Sequence, residues 1–179
     1  MSPVWRNRIG GLFLAGIVYF IDQAIKGWVR FDLNLPAIGS FEIMPIFRLS
    51  WTQNFGVSLG MFTAGSPEGR WLLVALTFAI ATFVFFWMMR ERKLLDIAAL
   101  GLVLGGAAGN IHDRALLGYV VDYADLHFGE FRPFLVFNLA DAAITIGVLI
   151  ILARSLLSRE KPETETPASN RADEPAPES

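Results

Sequence analysis

The sequence contains no cysteine, which excludes disulfides, thiolate catalysis and cysteine zinc sites and leaves the compartment open on that count. Charge is scarce as well. Asp, Glu, Lys and Arg make up 18% of the 179 residues against 54% hydrophobic residues, and the mean hydropathy is +0.46, the balance of a membrane protein. The net charge of -2 lacks the basic excess that nucleic-acid binding needs. No internal repeat is visible, and there is no H-E-x-x-H to suggest a metalloprotease.

Long apolar runs are abundant. The first extends from Ile9 to about Val29, interrupted late by Asp22 and Lys26; the second, Trp71 to Met89, has no charge. The third is Leu94 to about Ile111 with Asp96 near its start, and the fourth is Phe134 to Ala153 with Asp141 as its only ionisable group. About twenty helical residues at about 1.5 Å each match the roughly 30 Å of a bilayer's hydrocarbon. Asp141 is eighth in its run, which predicts a depth on the order of 10 Å below the end marked by Arg132 and Pro133. A charge at the bilayer centre costs roughly 3 kcal/mol and less toward the interface, so this carboxylate is expected to face protein or water and to be functional.

Basic residues orient the runs. Arg6 and Arg8 precede the first, Arg90, Arg92 and Lys93 fill the turn between the second and third, and Arg154, Arg159, Lys161 and Arg171 follow the fourth. The short basic turn is the strongest positive-inside signal, and it predicts cytoplasmic termini. The first run continues without a convincing small-residue cleavage site, so it reads as a retained anchor. Residues 1–157 are expected to form one all-α integral membrane domain of four transmembrane helices. A small external β element is predicted in the insert at about 30–69, between helices 1 and 2, where Phe47 to Thr52 alternates as a half-buried strand that Ser40 to Met44 could pair with. Gly65, Ser66 and Pro67 predict a turn and a helix start. Gly101, Gly105 and Gly109 put the third run at the bundle centre. Residues 158–179 are polar, with four prolines, and predict a disordered cytoplasmic tail.

The candidate chemistry is carboxylate chemistry. The stretch His112 to Pro133, read as a loop, supplies Asp113, Asp122 and Asp125 on the same side as Asp141. Asp122 follows the apolar Tyr119, Val120 and Val121 and is expected to insert against the bundle, whereas Asp113 and Asp125 have polar neighbours. Two carboxylates in a partly dry site hold one proton between them, so one can act as base on a water while the other protonates a carbonyl oxygen. Three other readings compete. GVSLG, Gly56 to Gly60, matches G-x-S-x-G around Ser58, but the chain has too few strands for the α/β sheet that the elbow requires. A metal held by His112, Asp113, Asp122 and His127 is conceivable, although no metal or other cofactor is expected. A small proton-relay or transport protein could use Asp22, Lys26, Asp113, Asp122 and Asp141, but it would need acidic groups at several depths. Asp22 and Lys26 are spaced as a helical ion pair, and Asn138 stands three residues before Asp141, close enough to orient it.

Taken together, DQAIK (Asp22 to Lys26), QNFGVSLGMF with Asn54 and Gly56, GGAAGNIHDRALLGYVVDYAD (Gly105 to Asp125) and FNLADAAI (Phe137 to Ile144) resemble the bacterial lipoprotein signal peptidases, signal peptidase II. The resemblance implies that Asp122 and Asp141 are the catalytic dyad of an aspartic endopeptidase, with Asp22, Lys26, Asn54, Gly56, Gly109, Asn110, Arg114 and Asn138 lining or supporting the substrate site. It implies prolipoprotein substrates cut just before a diacylglyceryl-modified cysteine, no cofactor, and a multi-pass monomer in lipid of the bacterial inner membrane with its site near the external face. Two departures are small: Ser58 stands where the family generally has alanine, and His112 occupies a variable position.

Overall fold

The computed structural model describes residues 2–56, 66–129 and 131–157; the predicted tail, Gly65 and Ser58 lie outside them. Among the described residues, four helices are long and apolar enough to cross a membrane. They are α1 (Pro3–Gly27), which continues through a π-turn at Trp28–Asp32, α3 (Pro67–Arg90), α4 (Leu94–Leu117) and α5 (Leu139–Leu157); a single-turn α2 (Leu35–Ile38) follows α1. Ser2 and Ser66 cap α1 and α3, each accepting the backbone N–H three residues on, and a proline follows each cap, the arrangement that satisfies an orphan donor and presets the first turn.

Helix α4 is central, as its glycines predict. A Cβ at Gly101 would lie 2.6 Å from the Gly11 carbonyl oxygen and one at Gly105 2.5 Å from that of Ala15, so these two glycines let α1 approach. On the α5 side, Gly106 faces the Ala140 carbonyl, and a Cβ added to Gly147 of α5 would lie 2.5 Å from that of Ala99. In lipid no hydrophobic drive joins helices, so close backbone packing of small residues supplies the attraction.

Three differences from the sequence reading matter for the site. The sheet has three strands rather than a hairpin confined to the insert: β1 (Ser40–Met44), β2 (Phe47–Asn54) and β3 (Val120–Leu126) pair antiparallel in that order. The third strand comes from between α4 and α5. The stretch from His112 is not all loop, because α4 runs on to Leu117 and stops where Gly118 takes φ 89°, a left-handed turn that glycine adopts without strain. Nor is the fourth run helical from Phe134. Phe137 exchanges backbone hydrogen bonds with Ala124 of β3, at 3.0 and 2.8 Å, and α5 begins only at Leu139. Asp141 therefore sits in the first turn of its helix rather than two turns inside it. A small apolar core of Val29, Leu35, Leu49, Tyr123 and Ala124 fixes the sheet to the end of α1.

Candidate active site

The start of α5 builds one half of the site. Asn138 stands just before the helix, and its side-chain oxygen accepts the Asp141 N–H at 2.8 Å while an Asp141 carboxylate oxygen accepts the Asn138 N–H at 3.3 Å. This is a reciprocal capping box with aspartate in the third helical position. The partly positive helix terminus favours a carboxylate there. Asn110 of α4 adds a donor, its amide reaching Asp141 Oδ1 at 2.8 Å.

Strand β3 builds the other half. Asp122 is buried and accepts two amides, Asn138 Nδ2 on Oδ1 at 2.6 Å and Asn54 Nδ2 on Oδ2 at 3.0 Å. Asn54 is itself held, because its Oδ1 accepts the N–H of Gly56 at 2.9 Å, and Gly56 takes φ 87°. Asn138 thus touches both acids, Asp122 through its amide and Asp141 through its backbone and oxygen. Burial, and after it the charge of Asp141, push the Asp122 carboxyl up to about 6 from its ordinary 3.8, against the lowering hydrogen bonds of Asn54 and Asn138. A carboxyl so placed keeps its proton to higher pH than an ordinary one. Arg114, half-buried on α4, feels the charges of Asp141, Asp122 and Asp113.

Beneath the pair lies a buried layer. Lys26 Nζ stands 2.8 Å from Asp22, 2.9 Å from Asp113 and 3.3 Å from Asn110 Oδ1. Gly109 makes room for this layer, since a Cβ there would lie 2.5 Å from Asp22 Oδ2. The expected helical pair of Asp22 and Lys26 forms, and it is buried inside the bundle. Asp113 and Asp125, set aside because their sequence neighbours are polar, are both buried and ion-paired, Asp113 to Lys26 and Asp125 to Arg48 at 2.7 Å. Gln23, Ser50 and Tyr123 were not foreseen. Ser50 donates to Asp125 at 3.0 Å, and the Tyr123 hydroxyl accepts the Leu139 N–H at 3.2 Å. A signal existed for Asp113: it lies four residues beyond Gly109, on the face that meets Asp22 and Lys26.

Of the competing arrangements, the one around Ser58 lies outside the described residues, and the candidate metal ligands are not brought together among the described ones. The His112 ring meets the Tyr19 hydroxyl at 2.5 Å, His127 contacts the Asp125 carbonyl oxygen at 3.4 Å, and among the described residues no three acidic or histidine side chains could hold a metal ion. The relay reading fails on depth, because Ile97 to Gly109 of α4 carries no ionisable residue. A groove of about 310 Å³ lined by Phe134, Leu135, Phe137, Ala142, Thr145 and Ile146 opens onto Asp141. A larger cavity of about 560 Å³, between α1, α3 and α4, contains no carboxylate, so the smaller one is the relevant approach.

Known proteins resemble the chain over most of its length. The family model for signal peptidase (SPase) II matches residues 14–157. A lipoprotein signal peptidase of Rhizorhabdus wittichii is 51% identical over 164 residues, 92% of this chain and 94% of that protein. One of Sphingopyxis alaskensis is 51% identical over 151 residues, 84% and 87% of the two chains. A bacterial membrane enzyme solved by the in meso method at 1.9 Å superposes with a TM-score of 0.71 at 27% identity, covering 82% of this chain and 92% of that one. Four apolar helices, a buried polar site at one end of them and these likenesses agree: the chain belongs to the signal peptidase II family of membrane proteases.

Proposed function

We propose that the chain is an aspartic endopeptidase that removes signal peptides from prolipoproteins by cutting just before the diacylglyceryl-modified cysteine, with Asp122 and Asp141 as the catalytic dyad. The observation that carries this is Asn138, one residue hydrogen-bonded to both carboxylates, which brings a strand acid and a helix acid to one small buried space. In the reactive form Asp122 carries the proton and Asp141 is the base. A water between them gives a proton to Asp141 as its oxygen attacks the scissile carbonyl carbon, and Asp122 protonates the carbonyl oxygen. As the tetrahedral intermediate collapses, one of its hydroxyls returns a proton to Asp122, the C–N bond breaks, and the leaving amine takes the proton from Asp141. Asn54, Asn110 and Arg114 stand near enough to bind the substrate backbone, and Gly56 and Gly109 keep Asn54 and Asp22 in place.

The substrate's own chemistry fits the approach. A signal helix and its lipid chains remain in the bilayer, and the groove beside Asp141 is lined almost wholly by apolar side chains, suited to burying hydrocarbon. The basic α3–α4 turn lies at the opposite end of α4 from Asn110 and Asp113, so the positive-inside rule assigns the dyad to the external face and both termini to the cytoplasm. The enzyme works as a monomer in lipid. Purified protein incubated with a lipid-modified precursor peptide should cleave it, and Asp122→Asn or Asp141→Asn should each abolish cleavage. Substantial turnover by either variant would exclude the dyad.

A further inference from the structure

The layer under the dyad has a regularity that the chemistry above does not use. Asp113 Oδ2 accepts the backbone N–H of Val121 at 3.0 Å, and Val121 immediately precedes Asp122. Asp22 Oδ1 accepts the backbone N–H of Ala140 at 3.0 Å, and Ala140 immediately precedes Asp141. These two carboxylates are joined to each other. Lys26 bridges their Oδ2 atoms at 2.8 and 2.9 Å. The Gln23 amide Nε2 lies 3.2 Å from Asp22 Oδ2 and 3.1 Å from Asp113 Oδ1, so Gln23 ties the same pair a second time.

We propose that Asp22 and Asp113, tied together by Gln23 and Lys26, form a clamp that sets the separation of Asp122 and Asp141 by holding the backbone N–H of the residue before each. The inference rests on the dyad reading above and deepens it. The dyad acids arrive on unrelated elements, a strand and a helix start, and only hydrogen bonds and packing fix their distance. A buried ion pair is a poor source of net stability, whereas positional accuracy at a reacting centre is worth a great deal. Gln23 and Asp113 are positioning residues in this scheme, acting through the backbone and touching no substrate.

The two dyad carboxylates repel when both are ionised, so their two apparent pKa values move further apart as they come closer. A loosened clamp brings those values together and narrows the bell of kcat/KM against pH, a change that mere destabilisation would not produce. The charged and titratable groups facing the dyad are Lys26 and Asp22 from α1, Arg114 and Asp113 from α4, and Tyr123 from β3. Gln23→Met leaves every one of them in place.

The test uses the full chain in detergent and a lipid-modified precursor peptide. Gln23→Met should lower kcat about tenfold or more, leave KM unchanged and narrow the pH bell. Asp113→Asn, which keeps an oxygen for the Val121 N–H, should retain more activity than Asp113→Ala. Wild-type kcat and bell width in a folded Gln23→Met protein would overturn the clamp, as would a rise in KM with kcat unchanged. If Asp113→Ala does not fold, Gln23→Met decides alone. Loss of all activity in Asp122→Asn and Asp141→Asn, beside wild-type behaviour of Gln23→Met, would keep the dyad and reject only the clamp.

Discussion

The two ends of this helix bundle treat charge in opposite ways. At one end Asp22, Lys26, Asp113, Asp122 and Asp125 are all buried, and nearly every polar atom has a partner. At the other, Asp96 meets Arg154 at 3.1 Å with both side chains partly exposed, and Glu91 accepts the N–H groups of Arg92 and Lys93 at 2.7 and 3.0 Å just before α4 begins. The bond from the Lys93 N–H, more than burial opposes it, holds the Glu91 carboxyl below its usual range. The second end is ordinary boundary chemistry, where a carboxylate accepts the backbone N–H groups of its own turn and a partly exposed pair contributes little. The first buries charge at a cost that stability alone would not justify. On the dyad and clamp proposed above, the difference teaches that charge is buried here where it has to be placed accurately.

Substitutions at the two ends should break or sharpen that contrast. The largest effect is expected from Asp122→Asn, and it should run in opposite directions for activity and stability. Cleavage is lost, but the amide relieves a carboxyl raised from 3.8 to about 6, a linkage worth up to about 3 kcal/mol. The sign follows from the raised value: below 3.8 the group is neutral folded or unfolded, and above about 6 the folded protein carries the penalty of an ionised buried acid. Thermal unfolding of the variant should therefore move upward relative to wild type at pH 7, and the advantage should shrink as pH falls through this window. No gain at pH 7 would mean that Asp122 is not strained by ionisation.

A smaller effect is expected at Asn138, where cap and amide can be separated. Asn138→Ala should lower kcat on the order of a hundredfold, as loss of one positioned donor typically does, with less change in KM because affinity comes from buried hydrocarbon. Asn138→Ser can still cap α5 but cannot donate to Asp122 as the amide does. If the amide matters, serine should be nearly as slow as alanine; recovery by serine would assign the residue to helix capping alone.

The smallest effect is expected at the far end. Asp96→Ala or Arg154→Ala should change stability by no more than about 1 kcal/mol and leave kcat unchanged, because a partly exposed pair is worth that or less. A large loss of activity from either would show that the two ends are coupled along α4.

Much of the fold is legible in the chain because the bilayer makes simple demands. The four apolar runs, the central position of the glycine-bearing helix and the pairing of Ser40–Met44 with Phe47–Asn54 follow from length, residue size and alternation. These are local properties. The start of α5 was misplaced because an apolar run records hydrophobicity and not backbone pairing, and Phe134 to Phe137 are apolar whether or not Phe137 bonds to Ala124. Asp113 and Asp125 were undervalued for a related reason. Polar sequence neighbours suggest solvent, yet Lys26 and Arg48, 87 and 77 positions away in the chain, are what bury and satisfy them.

The sequence by itself determined that this chain carries apolar runs of membrane-spanning length with few ionisable groups inside them, and it offered Asp122 and Asp141 as candidates to share a proton. Hydropathy, helix length and short motifs act over a few residues, so they can be read one segment at a time. Only the tertiary structure decided that β3 completes the sheet, that one asparagine contacts both acids, and that Asp22 and Asp113 each hold the backbone just before one of them. Those facts depend on hydrogen bonds between α1, α4, β3 and α5, and the distances between such elements are set by close packing at Gly105, Gly106 and Gly109, which no single segment of the chain contains.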